Sequence, residues 1–357
     1  MNTRSHSSHP SAAHKSPAND ASPSAALVSH IAEAVRAYEF QTFVIGFARS
    51  STYTRELHEE QFRQRKIELG VALEKVFPGT RVDFNRPDLR IQVCPGNDVK
   101  LTVAPLFVAG RYRKHSRRIT ASRWIHHLCH GRGCASCGYT GNLCSPSIEE
   151  LLGETLLKAS AGAEAFFHAL GREDTDVRML GYGRPFVMEI RHPRRRSLSL
   201  TEAAKQTNEN AADIAEVFSL THVKRDAIRL LKESAASKTY RAWIRCESPP
   251  PADAFKRVAQ LSDSVVEQLS PNRVKHRKGE RTRRRKHVIH STWLGPIHDR
   301  FVWEVCVQSG TYVKELVSGD NARTHPSLSE VLGVPCMCAA LDVIEVNWQP
   351  PWETVSD

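Results

Sequence analysis

Two acids, Asp174 and Asp176, stand among Arg172, Arg178 and Arg184 and the glycines Gly171, Gly181 and Gly183 in the stretch Ala169 to Arg196. A solvated turn balanced by surface ion pairs would account for the charges, since such pairs contribute little. The crowding points further. Glycines admit backbone conformations that other residues avoid, and forked guanidinium groups suit phosphate. A carboxylate held ionised inside a cationic, phosphate-binding pocket is equipped for chemistry on a nucleotide.

A second constellation is RWIHHLCHGRGCASCGYTGNLC, with His126-x2-Cys129 and Cys134-x2-Cys137 as two close knuckles. Gly131, Gly133, Gly138 and Gly141 permit the tight turns that thiolates need around a tetrahedral ion. Structural zinc is expected on His126, Cys129, Cys134 and Cys137, with Cys144 or His130 in reserve. The alternative is free thiols in a glycine-rich loop. With every position filled by protein, the metal would hold shape and take no part in catalysis.

The elements that position these residues follow from periodicity. Residues 1–26 offer little to bury and read as a disordered tail. Helical spacing covers Leu27 to Tyr38 and Thr54 to Phe77, and strands are expected at Phe40 to Phe47, Val82 to Phe84, Leu89 to Val93 and Lys100 to Val108. That alternation ends in GRYRKHSRRI, whose Arg111, Arg113 and Lys114 surround Tyr112 and suit an RNA backbone. Ser147 and Glu150 form a capping box opening the helix IEELLGETLLKA. Beyond the central loop, FVMEI and SLSL read as strands around Arg194 to Arg196. Helices are expected at Asn208 to Phe218, Thr221 to Lys232 and Ala252 to Leu269. Strands are expected in YRAWIRCE, HVIHSTWLG, FVWEVCVQ and LDVIEVNW. The segment Lys275 to His287 is almost wholly basic and must face solvent or phosphate.

Composition agrees with a polyanionic partner. The 357 residues carry 50 Lys+Arg against 39 Asp+Glu, a net charge of +11 and a pI near 9.3. No apolar run approaches the roughly 20 residues a bilayer span requires, and no basic amphipathic helix presents an aromatic face, so nucleic acid is favoured over membrane. Nine cysteines, several of them clustered, suggest a metal site in a reducing compartment more than a disulfide framework. The N-terminus lacks an apolar leader core, and a cytoplasmic protein acting as a monomer is expected.

GREDTDVRMLGYGRPF resembles the catalytic loop of the archaeal and eukaryotic tRNA pseudouridine synthase family that modifies the T-loop. GRYRKHSRRI, KTYRA (238–242), RVKHRKGERTRR (273–284) and SGTYVKELVSGD (309–320) recur in the family's order. The resemblance implies an α+β protein. A THUMP-like RNA-binding domain would cover 27–122, the zinc segment 123–145, and a catalytic domain on a mixed, largely antiparallel sheet 146–357.

It also implies the chemistry: isomerisation of a uridine in the T-arm of tRNA, at position 54, 55 or both, with no cofactor. Asp174, following Arg172-Glu173, matches the family's aspartate acting at the glycosidic carbon; Asp176 is the competing choice and Glu173 a third. Lys314 corresponds to the cation that keeps the aspartate charged, and Tyr240 to the tyrosine stacked on the flipped base that also moves a proton. Tyr312 sits nearby in motif, as packing at the substrate. Arg172, Arg178, Arg184, Arg273 and Arg281 are candidate phosphate contacts. The chain departs from the family where His126 replaces a cysteine and where an N-terminal cysteine pair is missing. A non-catalytic zinc-containing RNA-binding protein is the competing reading.

Overall fold

A computed structural model describes residues 25–48, 59–143, 146–274 and 284–353, so most of the expected tail, Cys144 and Arg281 lie outside the described residues. The chain forms two compact units, divided between Val103 and Ala104. No described helix is long and apolar enough to cross a membrane.

In the first unit, α1 (Ala25–Val35) and α2 (Glu59–Val76) accompany strands β1 (Thr42–Phe47), β2 (Arg81–Val82), β3 (Leu89–Val93) and β4 (Val99–Val103). The sheet order is β2-β1-β3-β4, parallel about β1 and antiparallel between β3 and β4. The period of two in LRIQV decides its faces: Leu89, Ile91 and Val93 are buried while Arg90 and Gln92 are exposed. Those apolar residues share a core with Ile31, Val35, Phe43, Ile45, Leu69 and Leu73.

The single strand expected from Lys100 to Val108 is broken at Ala104 and Pro105, because proline has no N–H to continue a ladder. Its second half becomes β5 (Leu106–Lys114), which belongs to the second unit. Arg111, Arg113 and Lys114 therefore lie in the larger unit, not in the RNA-binding unit expected over 27–122.

The second unit continues through α3 (Ile148–Ser160), β6 (Glu164–Ala169), β7 (Val177–Arg191), α4 (Leu200–Ala211), β8 (Ala215–Val223), α5 (Asp226–Glu233) and β9 (Ser237–Cys246). It is completed by α6 (Ala254–Ala259), β10 (Ser264–Gln268), β11 (Arg284–Ile297), β12 (Arg300–Val307), α7 (Val313–Ser318), β13 (Thr324–His325), α8 (Leu328–Leu332) and β14 (Cys336–Asn347). The strands form one ten-stranded sheet ordered β13-β10-β11-β12-β9-β14-β7-β5-β8, with β6 beside β7. Every pairing is antiparallel except β14 with β7, which makes the sheet mixed. Its core includes Val108, Phe186, Met188, Ala242, Trp303, Val305 and Leu316.

The capping box of α3 forms as the sequence suggests: Ser147 Oγ accepts from Glu150 N, and Glu150 Oε2 accepts from Ser147 N at 2.8 Å. Three expected helices and one strand differ. The second SLSL strand is absent, because Ser199 Oγ accepts from Glu202 N and starts α4 instead. The helix expected over Asn208 to Phe218 stops at Ala211; the Asn208 amide is bonded to both N and O of Val217, tying it to the edge strand β8. The expected helix at Thr221 starts at Asp226. The one expected over Ala252 to Leu269 is a short α6 followed by a turn and β10.

Candidate active site

A row of paired residues crosses four central strands: Lys114 on β5 with Met179 on β7, Met179 with Val343 on β14, and Val343 with Tyr240 on β9. The loop 170–176, between β6 and β7, runs directly into this row. Lys114 is fully buried, and its Nζ donates to three carbonyls: Ile119 at 2.9 Å, Asp174 at 3.2 Å and Thr175 at 2.8 Å. Three protons meet three acceptors, so the ammonium is satisfied without a carboxylate. Burial lowers Lys114 to about 8, against the opposing pull of Glu173 and Asp176.

Glu173 anchors the same loop from inside. Its carboxylate pairs with Arg184 Nε at 2.9 Å and accepts from Tyr112 Oη at 2.9 Å, while Arg184 NH1 donates to Leu170 O at 2.7 Å. Both side chains of the ion pair are about 1 % exposed. Burial, reinforced by the Glu173 charge, pushes the Tyr112 phenol well up, so it remains a donor. The loop is thus pinned at 170, 173, 174 and 175. Just beyond it, β7 bends at Gly181 (φ +57°), where a Cβ would collide with the Ile344 carbonyl.

The two acids that remain at the surface of the loop meet cations from the far end of the chain. Asp174 Oδ2 lies 2.9 Å from Arg273 NH1 and 3.4 Å from Lys314 Nζ. Lys314, on α7, also reaches Asp176, at 2.7 Å to Oδ1 and 2.8 Å to Oδ2. Burial works against the Asp176 charge, but the Lys314 hydrogen bond and the Lys314 and Arg273 charges outweigh it and hold its carboxyl below the usual range. Arg273 is fixed from behind by Glu315 Oε1 at 2.7 Å. Among the described residues Asp174 Oδ1 has no partner, whereas both oxygens of Asp176 are taken.

Tyr240 completes the group. Burial pushes its phenol up, and the negative charges of Glu173 and Asp174 add to that against Arg184. Two residues earlier on β9, Lys238 is buried with Ala236 O as its acceptor at 3.1 Å; burial and the nearby Arg184 lower it to about 8. Sequence spacing gives Lys238 no special standing, since a lysine in a strand ordinarily faces water.

The structure brings Asp174, Asp176, Lys314 and Arg273 together, with the Asp174 charge felt at Tyr240, and gives other candidates different work. Arg184 and Lys114 are interior. Arg111 is buried and paired with Glu353 at 2.7 Å, also donating to Gly183 O and Trp348 O. Arg113 is held by Glu216 and the carbonyl of Gly181. Arg111, Lys114 and Arg184 are buried and bonded within the protein, whereas Arg113 is partly exposed with its Nε and NH1 engaged. Arg178 grips Asp342 through two hydrogen bonds, at 2.9 and 2.7 Å, and Arg117 joins on the same carboxylate. Arg172 is exposed. Tyr312 caps α7, its backbone N and O both bonded to the Gln268 amide. The signal for Asp342, an acid within an apolar strand, lies in LDVIEVNW but names no partner.

The ligand atoms of His126, Cys129, Cys134 and Cys137 all lie within 4.8 Å of one another. A tetrahedron with bonds of about 2.3 Å to sulfur has edges of about 3.8 Å. The measured edges are 3.9 Å for Cys129–Cys137, 3.8 Å for Cys134–Cys137, 3.5 Å for Cys129–His126 and 3.6 Å for Cys134–His126. These four edges match a zinc-sized ion, and the other two lie within 4.8 Å. Cys137 Sγ also accepts from the N–H groups of Cys134 and Gly141, as a thiolate would. Gly141 (φ +72°) is obligatory, because a Cβ there would strike the Gly131 carbonyl. Exposed His130 lies outside the cluster.

With this geometry in place, comparison with known proteins is informative. Residues 107–347 match the family model described as Pus10, C-terminal. The chain is 37 % identical over 326 residues to the tRNA pseudouridine synthase Pus10 of Methanopyrus kandleri, covering 86 % of this chain and 74 % of that protein. It is 41 % identical over 269 residues to the Pus10 of Methanothermobacter marburgensis, covering 74 % of this chain and 66 %, just under two thirds, of the relative. A solved Cbf5-Nop10-Gar1 complex is similar at 17 % identity and a TM-score of 0.36, over 56 % of this chain and 45 % of that one. The chain belongs to the Pus10 family of tRNA pseudouridine synthases.

Proposed function

We propose that this chain isomerises uridine to pseudouridine in the T-loop of tRNA, with Asp174 as the nucleophile at the glycosidic carbon. The observation that carries the reading is the state of the Asp174 carboxylate. Arg273 and Lys314 both hold Oδ2, no described group holds the other oxygen, and the Asp174 charge is felt at Tyr240 on β9. The two cations balance the carboxylate charge without consuming its second oxygen. Asp176 is less suited, because Lys314 occupies both its oxygens.

In this reading the uridine is extruded from the folded RNA at a cost of a few kcal/mol, offset by stacking on Tyr240. Asp174 displaces uracil, forming an ester to C1′ as the C1′–N1 bond breaks; the ring turns, C5 displaces the carboxylate as the C1′–C5 bond forms, and the C5 proton passes through Tyr240 while N1 takes up a proton. Atoms and oxidation state balance within the substrate, so no cofactor is called for. His126, Cys129, Cys134 and Cys137 hold a structural zinc ion away from this chemistry, shaping the segment that precedes α3. The first unit serves as the THUMP-like accessory RNA-binding domain, and the exposed Arg172 is the residue best placed to meet a phosphate.

The test is Asp174→Asn assayed on an unmodified tRNA transcript. Loss of all pseudouridine with tRNA affinity retained is the expected outcome. Unaltered modification would move the role to Asp176, and wild-type protein that binds tRNA without modifying it would favour a non-catalytic binder. Mapping the modified positions decides between 54, 55 and both.

A further inference from the structure

Outside the active site, the pairing of β9 with β14 sets Cys246 directly opposite Cys336. Their sulfurs are 3.1 Å apart. Directly opposed residues of antiparallel strands have Cα atoms about 4.5–5.5 Å apart, inside the roughly 4.4–6.8 Å span that a disulfide tolerates. The register and the short sulfur separation together put the two thiols within reach of a bond. We propose that Cys246 and Cys336 are a disulfide-forming pair, oxidised by a small disulfide of the glutathione class, and that the bond fastens the turn supporting α7 to the central sheet.

The balance is that of thiol–disulfide exchange. One cysteine thiolate attacks a glutathione sulfur and releases one glutathione thiolate. The second cysteine then attacks the mixed disulfide and releases the other. Two protein thiols lose two protons and two electrons, and one glutathione disulfide becomes two glutathiones.

The neighbourhood gives the bond a structural consequence. Cys336 N donates to Ser329 Oγ at 2.9 Å, and that hydroxyl donates to Val317 O at 2.9 Å in α7, the helix that carries Lys314. Glu247 N, next to Cys246, donates to Pro335 O at 3.0 Å. A covalent link here would close a segment 90 residues apart in sequence, containing β10 to β13 and both helices of the turn. Burial pushes both thiols above the ordinary range, so exchange is slow and the incubation must be long.

The experiment uses the full chain, incubated at pH 8 in equal concentrations of reduced and oxidised glutathione, then alkylated under unfolding conditions and digested. A linked peptide containing Cys246 and Cys336, 2 Da lighter than its reduced parts, is expected. It should persist in Cys338→Ser, vanish in Cys246→Ser and in Cys246→Val, and raise the wild-type Tm by ~5–10 °C over the dithiothreitol-reduced protein. Recovery of both cysteines fully alkylated, or of either joined only to glutathione or to Cys338, overturns the proposal. The wild-type chain alone is enough for this decision, whether or not the variants fold.

Discussion

Replacing Lys114 with methionine separates two roles that a buried strand lysine can have. If it served an RNA phosphate, as its place in GRYRKHSRRI suggests, the change would weaken tRNA binding and spare the bound-state rate. The structure instead points its ammonium inward, at the carbonyls of Ile119, Asp174 and Thr175. Methionine matches the length but leaves those carbonyls without a donor, at about 1–3 kcal/mol each if they stay buried. The two in the loop can escape that cost by moving toward water, and a shift of ~1 Å in a reacting group lowers a rate by about a hundredfold, or about 2.7 kcal/mol. Folding stability should move much less. Removing an ammonium whose burial lowers it from 10.5 to about 8 recovers roughly 3 kcal/mol of desolvation, which opposes the lost hydrogen bonds. The assay is a single-turnover rate of pseudouridine formation with saturating enzyme, beside a binding curve and a melt. We expect a rate down by about a hundredfold, Kd within twofold, and Tm within a few degrees. A single-turnover rate within threefold of wild type refutes the reasoning, and a Kd that rises instead restores the phosphate role.

Lys238→Met should stabilise the protein near neutral pH, by about 1–3 kcal/mol in a denaturant titration, because a charged lysine with one acceptor is costly to bury. The sign fixes the pH window. The folded pKa is below the unfolded value, so the penalty is full below about 8 and fades as pH rises toward 10.5, where variant and wild type should converge. Lys314→Met should lower the single-turnover rate more than Arg273→Met, since it strips both Asp174 and Asp176 of a cation; equal effects would show that Asp174 depends chiefly on Arg273. Elemental analysis should find one zinc per chain. Cys137→Ser, losing the sulfur that also accepts two backbone N–H groups, should abolish it and lower Tm; full metal content in that variant would remove Cys137 from the ligand set.

Much of the site is legible where a residue's chemistry is local. Four Cys and His donors at fixed short spacing with glycines between them mark a cluster able to hold a metal before any fold is known, and Ser147 with Glu150 specifies a helix start within three residues. The grouping of Asp174, Lys314 and Tyr240 comes from motif resemblance, because 140 residues separate Asp174 from Lys314 and no periodicity spans that distance. Which basic residues face inward is not legible. Arg111, Lys114 and Arg184 sit in strongly charged strings that look solvated, yet β5 is buried along nearly its whole length without alternation, and these side chains meet interior carbonyls and Glu173. Helical spacing overreaches from Asn208 to Leu269 because apolar residues there fit both a helix and a half-buried strand. The Asn208 amide bound to Val217 favours the strand through a contact nine residues away, which a spacing rule does not capture.

The position of β14 bears on how the larger unit comes to be folded. Residues 336–347 are the last of the described strands to leave the ribosome, yet they lie between β9 and β7, in the interior of the sheet and not on its rim. Until they are synthesised, the strands on either side have no neighbour to complete their ladders, and the sheet remains two open halves. Closure of this sheet therefore waits for its final strand, and a nascent chain halted before Cys336 would present two unpaired strand edges to chaperones and proteases.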